Sequence, residues 1–235
     1  GGAFIKAIYF MRYIGKGQLY SPLKWKALSK KYKKFPIYTM PTGWLSILSL
    51  EVPVLLISAY YDAKIVGYYV LANRIVRLPV SILGQSIGKV FFQKFSDYSS
   101  HNNSFKNQKF YKRKLITILK FTFPLFIIGF IACPKLISVI FGSQWERAGI
   151  FIQILLPIYY IRFAGSVFST IPLIYSKQDH VLAVEIAHLI LRVAALVGTS
   201  SLSNPLITMG SLSLVSCLVS SFRLVWYNWI IKNEV

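Results

Sequence analysis

Of the ionisable side chains inside or beside stretches that are otherwise apolar, seven are the candidates for chemistry: Glu51, Arg74, Arg77, Arg162, Glu185, His188 and Arg192. A charge at the centre of a bilayer costs at least about 2.5–3.5 kcal/mol on insertion scales. Such groups therefore face a bundle interior, pair with one another, or line a polar path. Arginine presents a planar fork of donors that matches phosphate oxygens. Arg74, Arg77, Arg162 and Arg192 are the four arginines of this set. Glu51, Glu185 and His188 are the groups able to take up a coupling ion, or equally to neutralise the arginines. Arg74 and Arg77 are three residues apart and share a helical face, so either could pair with Glu51 on the neighbouring helix. Glu185, His188 and Arg192 fall on one stripe of a helix, which also suits a hydrogen-bonded structural cluster.

Other chemistries find no support. Cys133 and Cys217 suggest neither a disulfide framework nor a metal site. His101, His180 and His188 form no pair with Cys or acids at zinc-binding spacing. The sequence contains no G-x-x-x-x-G-K-[ST] phosphate loop. We therefore expect no metal, no cofactor and no enzymatic activity, with any energy coupling drawn from a proton or sodium gradient.

The elements that must position these charges are six apolar stretches, at about 44–61, 66–92, 115–133, 148–175, 181–199 and 206–231. Each is long enough to cross a bilayer, since about 20 apolar residues suffice. The chain is 55% hydrophobic and 14% charged with a mean hydropathy of +0.54, against about 25% charged residues in an ordinary soluble domain. The fold class is thus all-α and polytopic. A net charge of +20 would suit nucleic acid, but its placement excludes that partner. Lys and Arg number 15 in the segments 15–43, 93–114, 174–180 and 232–235, against three in 62–65, 134–147 and 200–206. Positive charge stays on the cytoplasmic side, so the first set is cytoplasmic and the chain ends there, with 232–235 as a short tail.

Residues 1–14 read as the tail of an upstream helix, being apolar but too short to cross and lacking a signal-peptide cleavage site. The basic connector at 15–43 interleaves lysines with Leu19, Leu23, Trp25 and Leu28, in the manner of either an interfacial helix on an anionic leaflet or a solvated linker. The polar segment 96–114 reads as a cytoplasmic loop. Lys89, Lys120 and Arg223 read as snorkelling residues whose heads reach water.

Three stretches carry a resemblance. KYKKFPIYTMPTGWLSILSLEVPVLLISAYYDAKIVGYYVLANRIVRLPVSILGQSIGKVFFQKFSD at 31–97 resembles the central signature of the bacterial O-antigen and capsule flippases. These form the polysaccharide-export branch of the multidrug/oligosaccharidyl-lipid/polysaccharide exporter superfamily. FGSQWERAG at 141–149 is similar to an external loop of their C-terminal half, and Arg162-Phe163 and Tyr175-Ser176-Lys177-Gln178 follow in order.

The resemblance implies twelve helices in two six-helix bundles around a central cavity, with this chain as the C-terminal half-bundle. It also implies a transporter that moves polyprenyl-pyrophosphate-linked oligosaccharide across the bacterial inner membrane for O-antigen, capsule or exopolysaccharide assembly, with Arg74 and Arg162 the first candidates for holding its anionic headgroup and Arg192 and Arg77 the second. The implied partners are the lipid-linked oligosaccharide, membrane lipids, a polysaccharide polymerase and a chain-length regulator. Two other readings remain open. A drug or cation antiporter of the same superfamily would want a cavity rich in acids. A membrane-embedded sugar polymerase or transferase would want a large external loop, whereas the longest one here, 134–147, offers only Glu146.

Overall fold

A computed structural model describes residues 35–99 and 104–233. The upstream-helix tail at 1–14, residues 15–34 of the basic connector, His101 and the last two residues lie outside the described residues. A π-helical turn at Phe35–Thr39 leads into α1 (Met40–Tyr60). Then follow α2 (Ala63–Ser99), α3 (Ser104–Phe141), a 3-10 turn at Ser143–Trp145 and α4 (Glu146–Val167). The short α5 (Ile171–Ile174), α6 (Gln178–Ser200) and α7 (Pro205–Asn233) complete the described chain. Six of these helical segments are long and apolar enough to cross a membrane, and the described residues contain no strand. The protein is an all-α, multi-pass membrane protein.

The helices outrun the apolar stretches at one end. The segment expected to be a polar loop, 96–114, is helical on both sides of residues 100–103, and residues 35–43 of the connector already belong to the first helical span. Length explains the difference. α2 and α3 have 37 and 38 residues, roughly 55 Å each at 1.5 Å per residue, against a hydrocarbon core of about 30 Å. The last turns of α2 and the first turns of α3 lie beyond the apolar stretches, where polar side chains are favoured, and Lys, Arg and Gln are good helix formers. Polarity there marks the membrane boundary rather than the end of the helix.

α4 is the central pillar, packed against α2, α3 and α7, while α1 packs mainly on α6, and α6 on α7. Two buried clusters fix the alternating directions. Ile57, Tyr68, Tyr69, Ile137, Phe151, Leu155 and Leu212 meet at one end, which joins the end of α1 and of α3 to the start of α2, α4 and α7. Phe91, Phe95, Tyr111, Phe168, Ile171 and Tyr227 meet at the other, hereafter the basic end because Lys94, Lys109, Lys112, Arg113 and Lys114 emerge there. The outer faces are apolar as well: Phe121, Ile131 and Val139 of α3 are 85%, 73% and 76% exposed. So large an exposed apolar surface is tolerated where the solvent is lipid.

In lipid, helices associate through close packing of small residues. The run Gly84-Gln85-Ser86-Ile87-Gly88 puts two glycines four apart on α2, and they press on Ser166 and Val167 of α4. Gly149 of α4 lies so close to α3 that a Cβ there would sit 2.4 Å from Cα of Pro134. The turn between α3 and α4 relies on Gly142, whose φ of 97° suits only glycine comfortably. Here two of the sequence motifs meet. The Tyr68 hydroxyl donates to the Gln144 carbonyl at 2.8 Å, and the Trp145 ring packs edge-on against Tyr68 and over Gly67.

Gly149→Ala must push α3 and α4 apart, and overpacking costs about 1–3 kcal/mol. It should lower the thermal unfolding midpoint in detergent. Gly198→Ala, where nothing lies within 4 Å, should leave the midpoint unchanged or raise it. Equal midpoints for the two variants would refute the close approach.

Candidate functional site

The stripe on α6 is real and buried. Glu185, His188 and Arg192 are 8%, 3% and 4% exposed. Each side chain meets a different partner. Glu185 forms an ion pair with Arg223 of α7 at 2.9 Å, and His188 Nδ1 lies 3.9 Å from the same carboxylate. Arg223 is therefore not a snorkelling residue. Its side chain is only 23% exposed because α7 runs antiparallel to α6 and brings it level with Glu185.

Arg192 reaches across to α1, where its Nη1 donates to the Ser49 carbonyl and to Ser49 Oγ at 2.8 Å. The sequence of α1 dictates this contact. Pro53, four residues after Ser49, has no N–H, so the Ser49 carbonyl loses its intrahelical partner. A buried carbonyl left open costs about 1–3 kcal/mol, and the guanidinium supplies the missing donor. The same device recurs between α3 and α4. Pro134 frees the Phe130 carbonyl, and Gln153 Nε2 donates to it at 2.7 Å.

The remaining charges gather along the seam between the α1/α6 pair and the α2/α4 side. Arg77 pairs with Glu51 at 3.9 Å, with side chains 36% and 59% exposed. The guanidinium of Arg162 stands over the Tyr159 ring, 5.7 Å from its centroid, and the Tyr159 hydroxyl donates to Asn73 Oδ1. Buried Tyr69 and Tyr159 form the centre of this region. Arg192, Arg162 and Glu51 act electrostatically on Tyr69, and Arg162, Arg192 and Arg77 on Tyr159.

Of the residues nominated from sequence, the structure thus brings Arg77, Arg162, Arg192 and Glu51 around one tyrosine pair. Glu185 and His188 adjoin through Arg192. Arg74 is exposed on α2, one turn before Arg77.

Both carboxylates in the seam are taken, Glu51 by Arg77 and Glu185 by Arg223. Arg162 and Arg192 have no carboxylate partner among the described residues. The site is cationic in excess, which suits an anion better than a cation. Sequence reading missed Ser49, Asn73, Tyr159 and Arg223 as members. A signal existed for two of them: Ser49 precedes a proline by four residues, and Arg223 lies as far from the basic end on α7 as Glu185 does on α6, within a few residues. Among the described residues no group of three His, Cys, Asp or Glu side chains could hold a metal ion, and Cys133 and Cys217 are free thiols.

A family model described as polysaccharide biosynthesis protein matches residues 10–149. That span includes Glu51, Arg74 and Arg77. No curated protein and no solved structure matches the chain.

A double-mutant cycle tests the proline-to-arginine link. Pro53→Ala restores an N–H for the Ser49 carbonyl, so Arg192→Leu should destabilise less in that background than in the wild type. A coupling of about 1 kcal/mol is expected from chemical or thermal unfolding in detergent. Strict additivity would show that Arg192 does not serve that carbonyl.

Proposed function

The chain belongs to the polysaccharide biosynthesis protein family, and from its intramembrane charges we propose that it acts as a flippase. Its cargo is an oligosaccharide on a polyprenyl pyrophosphate, carried across the bacterial inner membrane for O-antigen, capsule or exopolysaccharide assembly. The observation that carries this reading is the pair of arginines without carboxylates, Arg162 and Arg192, beside Tyr159 and Tyr69.

A pyrophosphate needs directed cationic donors in a place where lipid would otherwise surround it. Arg162 is half-buried, and its contact among the described residues is the face of Tyr159. Its donor edge is open to phosphate oxygens while the ring holds the guanidinium plane. Arg192 stays in its contact with Ser49 and contributes positive potential from behind. Tyrosine rings beside the arginines offer flat apolar faces to sugar rings.

Orientation follows the charge rule, with the basic end and the C-terminus in the cytoplasm. The cargo is then loaded from the leaflet where the basic end lies. In the twelve-helix arrangement the seam faces a second bundle, and access alternates by rocking the two against each other. Glu185, His188 and Arg223 form the group on which a proton or sodium ion acts, because displacing Arg223 from Glu185 would loosen α6 from α7. A polysaccharide polymerase and a chain-length regulator are the partners downstream of such a step. The antiporter reading is weaker because both seam carboxylates are already neutralised by arginine.

Arg162→Ala in the intact transporter should abolish surface polysaccharide while leaving membrane insertion normal, and Arg162→Lys should restore part of it. Export is read by surface staining and insertion by membrane fractionation. Unchanged export in Arg162→Ala would remove that residue from the pathway. Vesicles that accumulate fluorescent cationic drugs but do not flip lipid-linked sugar would overturn the flippase reading itself.

A further inference from the structure

Between α2 and α3 lies an apolar groove of about 530 Å³, within the range of about 300–1,000 Å³ common for ligand pockets. Leu83 and Ile87 form one wall, Phe121 and Leu125 the other, and Leu156 and Phe163 of α4 the floor. Thr122 is the one hydroxyl among its lining residues, and it is satisfied by the Ile118 carbonyl at 2.8 Å. The groove exists because α2 and α3 each pack extensively on α4 and only slightly on each other. Toward the basic end it is closed by a stack of Phe91 on Phe110, with ring centroids 5.7 Å apart.

Beside that stop each wall carries an exposed cation, Lys94 about one turn past Phe91 on α2 and Lys114 about one turn short of Phe110 on α3. Lys94 follows Ile87 by seven residues and Lys114 precedes Phe121 by seven. A separation of seven residues is two turns, so each lysine stands on the groove-facing side of its helix, about 10 Å past the groove. The Lys114 ammonium lies over the Phe110 ring at 5.8 Å, which holds it beside the stop rather than out in water.

We propose that the groove and these two lysines form a binding site for one anionic phospholipid. Its acyl chain lies between α2 and α3, and its phosphate rests on Lys94 and Lys114. The site reads two properties at once. The apolar walls accept any chain, and the cations at matched depth select a negative headgroup over a zwitterionic one. A lysine near an anionic lipid surface is worth roughly a fivefold preference. A lipid held here would also fill the gap that α2 and α3 leave in front of α4.

The test uses the full chain in phosphatidylcholine vesicles carrying a trace of phosphatidylglycerol with a photoactivatable group in its acyl chain. Phosphatidylcholine with the same group is the comparison. Mass spectrometry should find phosphatidylglycerol adducts on Leu83, Phe121 or Leu125 in at least fivefold excess over phosphatidylcholine adducts. Lys94→Glu combined with Lys114→Glu should remove that excess. Lys109→Glu should not, because Lys109 lies about 140° around the helix from Lys114. Leu125→Trp should lower labelling of the groove by both lipids while leaving Val225 of α7, 68% exposed, labelled as before.

Equal labelling by the two lipids would overturn the proposal, as would an excess that survives charge reversal. A groove that neither probe labels while Val225 reacts would show that a protein segment fills it, and would overturn the proposal too.

Discussion

A hydrocarbon solvent offers no hydrogen bonds, so each backbone group that a proline releases must be satisfied from within the protein. The bond from Arg192 to the Ser49 carbonyl meets that demand in α1, and much of the seam follows from it. It ties α1 to α6 at the level of Pro53. It also fixes the rotation of α6, because a stripe that presents Arg192 to α1 must bury His188 and Glu185 one and two turns away. Glu185 then faces α7, where Arg223 neutralises it. Gln153 and Phe130 repeat the arrangement at Pro134, one turn from the Gly149 contact that brings α3 and α4 together. Pro53 and Pro134 are thus docking points as much as bends. Each of the two exposes an acceptor that a donor from a neighbouring helix reaches.

The bundle consequently has parts of different character. α4 holds α2, α3 and α7 through small residues and two large apolar clusters. The α1/α6 pair joins that body through α7 and through a modest contact between α1 and α2, the latter carrying the long and exposed Glu51–Arg77 pair. An exposed ion pair contributes little stability, about 0–1 kcal/mol in water. The charged seam therefore lies at a joint where α1 and α2 pack only modestly, and an incoming anion would find unspent positive charge there.

Much of this was legible in the sequence, for definite reasons. Span number and approximate position followed from apolar length, which lipid enforces directly. The stripe of Glu185, His188 and Arg192 followed from helical periodicity, and a pairing of Glu51 with either Arg74 or Arg77 from opposite charges on adjacent helices, which the structure resolves to Arg77. Helix ends at the basic end were not legible, because hydropathy reports where the membrane stops and α2 and α3 continue past it. Arg223 was misassigned because proximity to a span end says nothing about the face a residue occupies, which is set by the helix opposite. The ranking of the arginines was also out of reach. Arg74 and Arg162 look alike in sequence, yet Arg74 is exposed on α2 and Arg162 is half-buried against the Tyr159 ring.

That ranking changes what the charges mean. Four arginines share the region with two carboxylates, and each carboxylate is matched by one arginine, so two positive charges remain. Of these, Arg192 is spent on a backbone carbonyl and is 4% exposed. Removing it would disturb α1 and α6 whatever the cargo, so loss of transport in an Arg192 variant would not distinguish scaffold from site. Arg162 is different: its described partner is an aromatic face, and a ring cannot neutralise a guanidinium as a carboxylate does. A half-buried cation left in that condition within a membrane is costly, and on the flippase reading proposed above an anionic headgroup would recover that cost. Of the two seam arginines without a carboxylate among the described residues, Arg162 is thus the one whose removal would test that reading more directly.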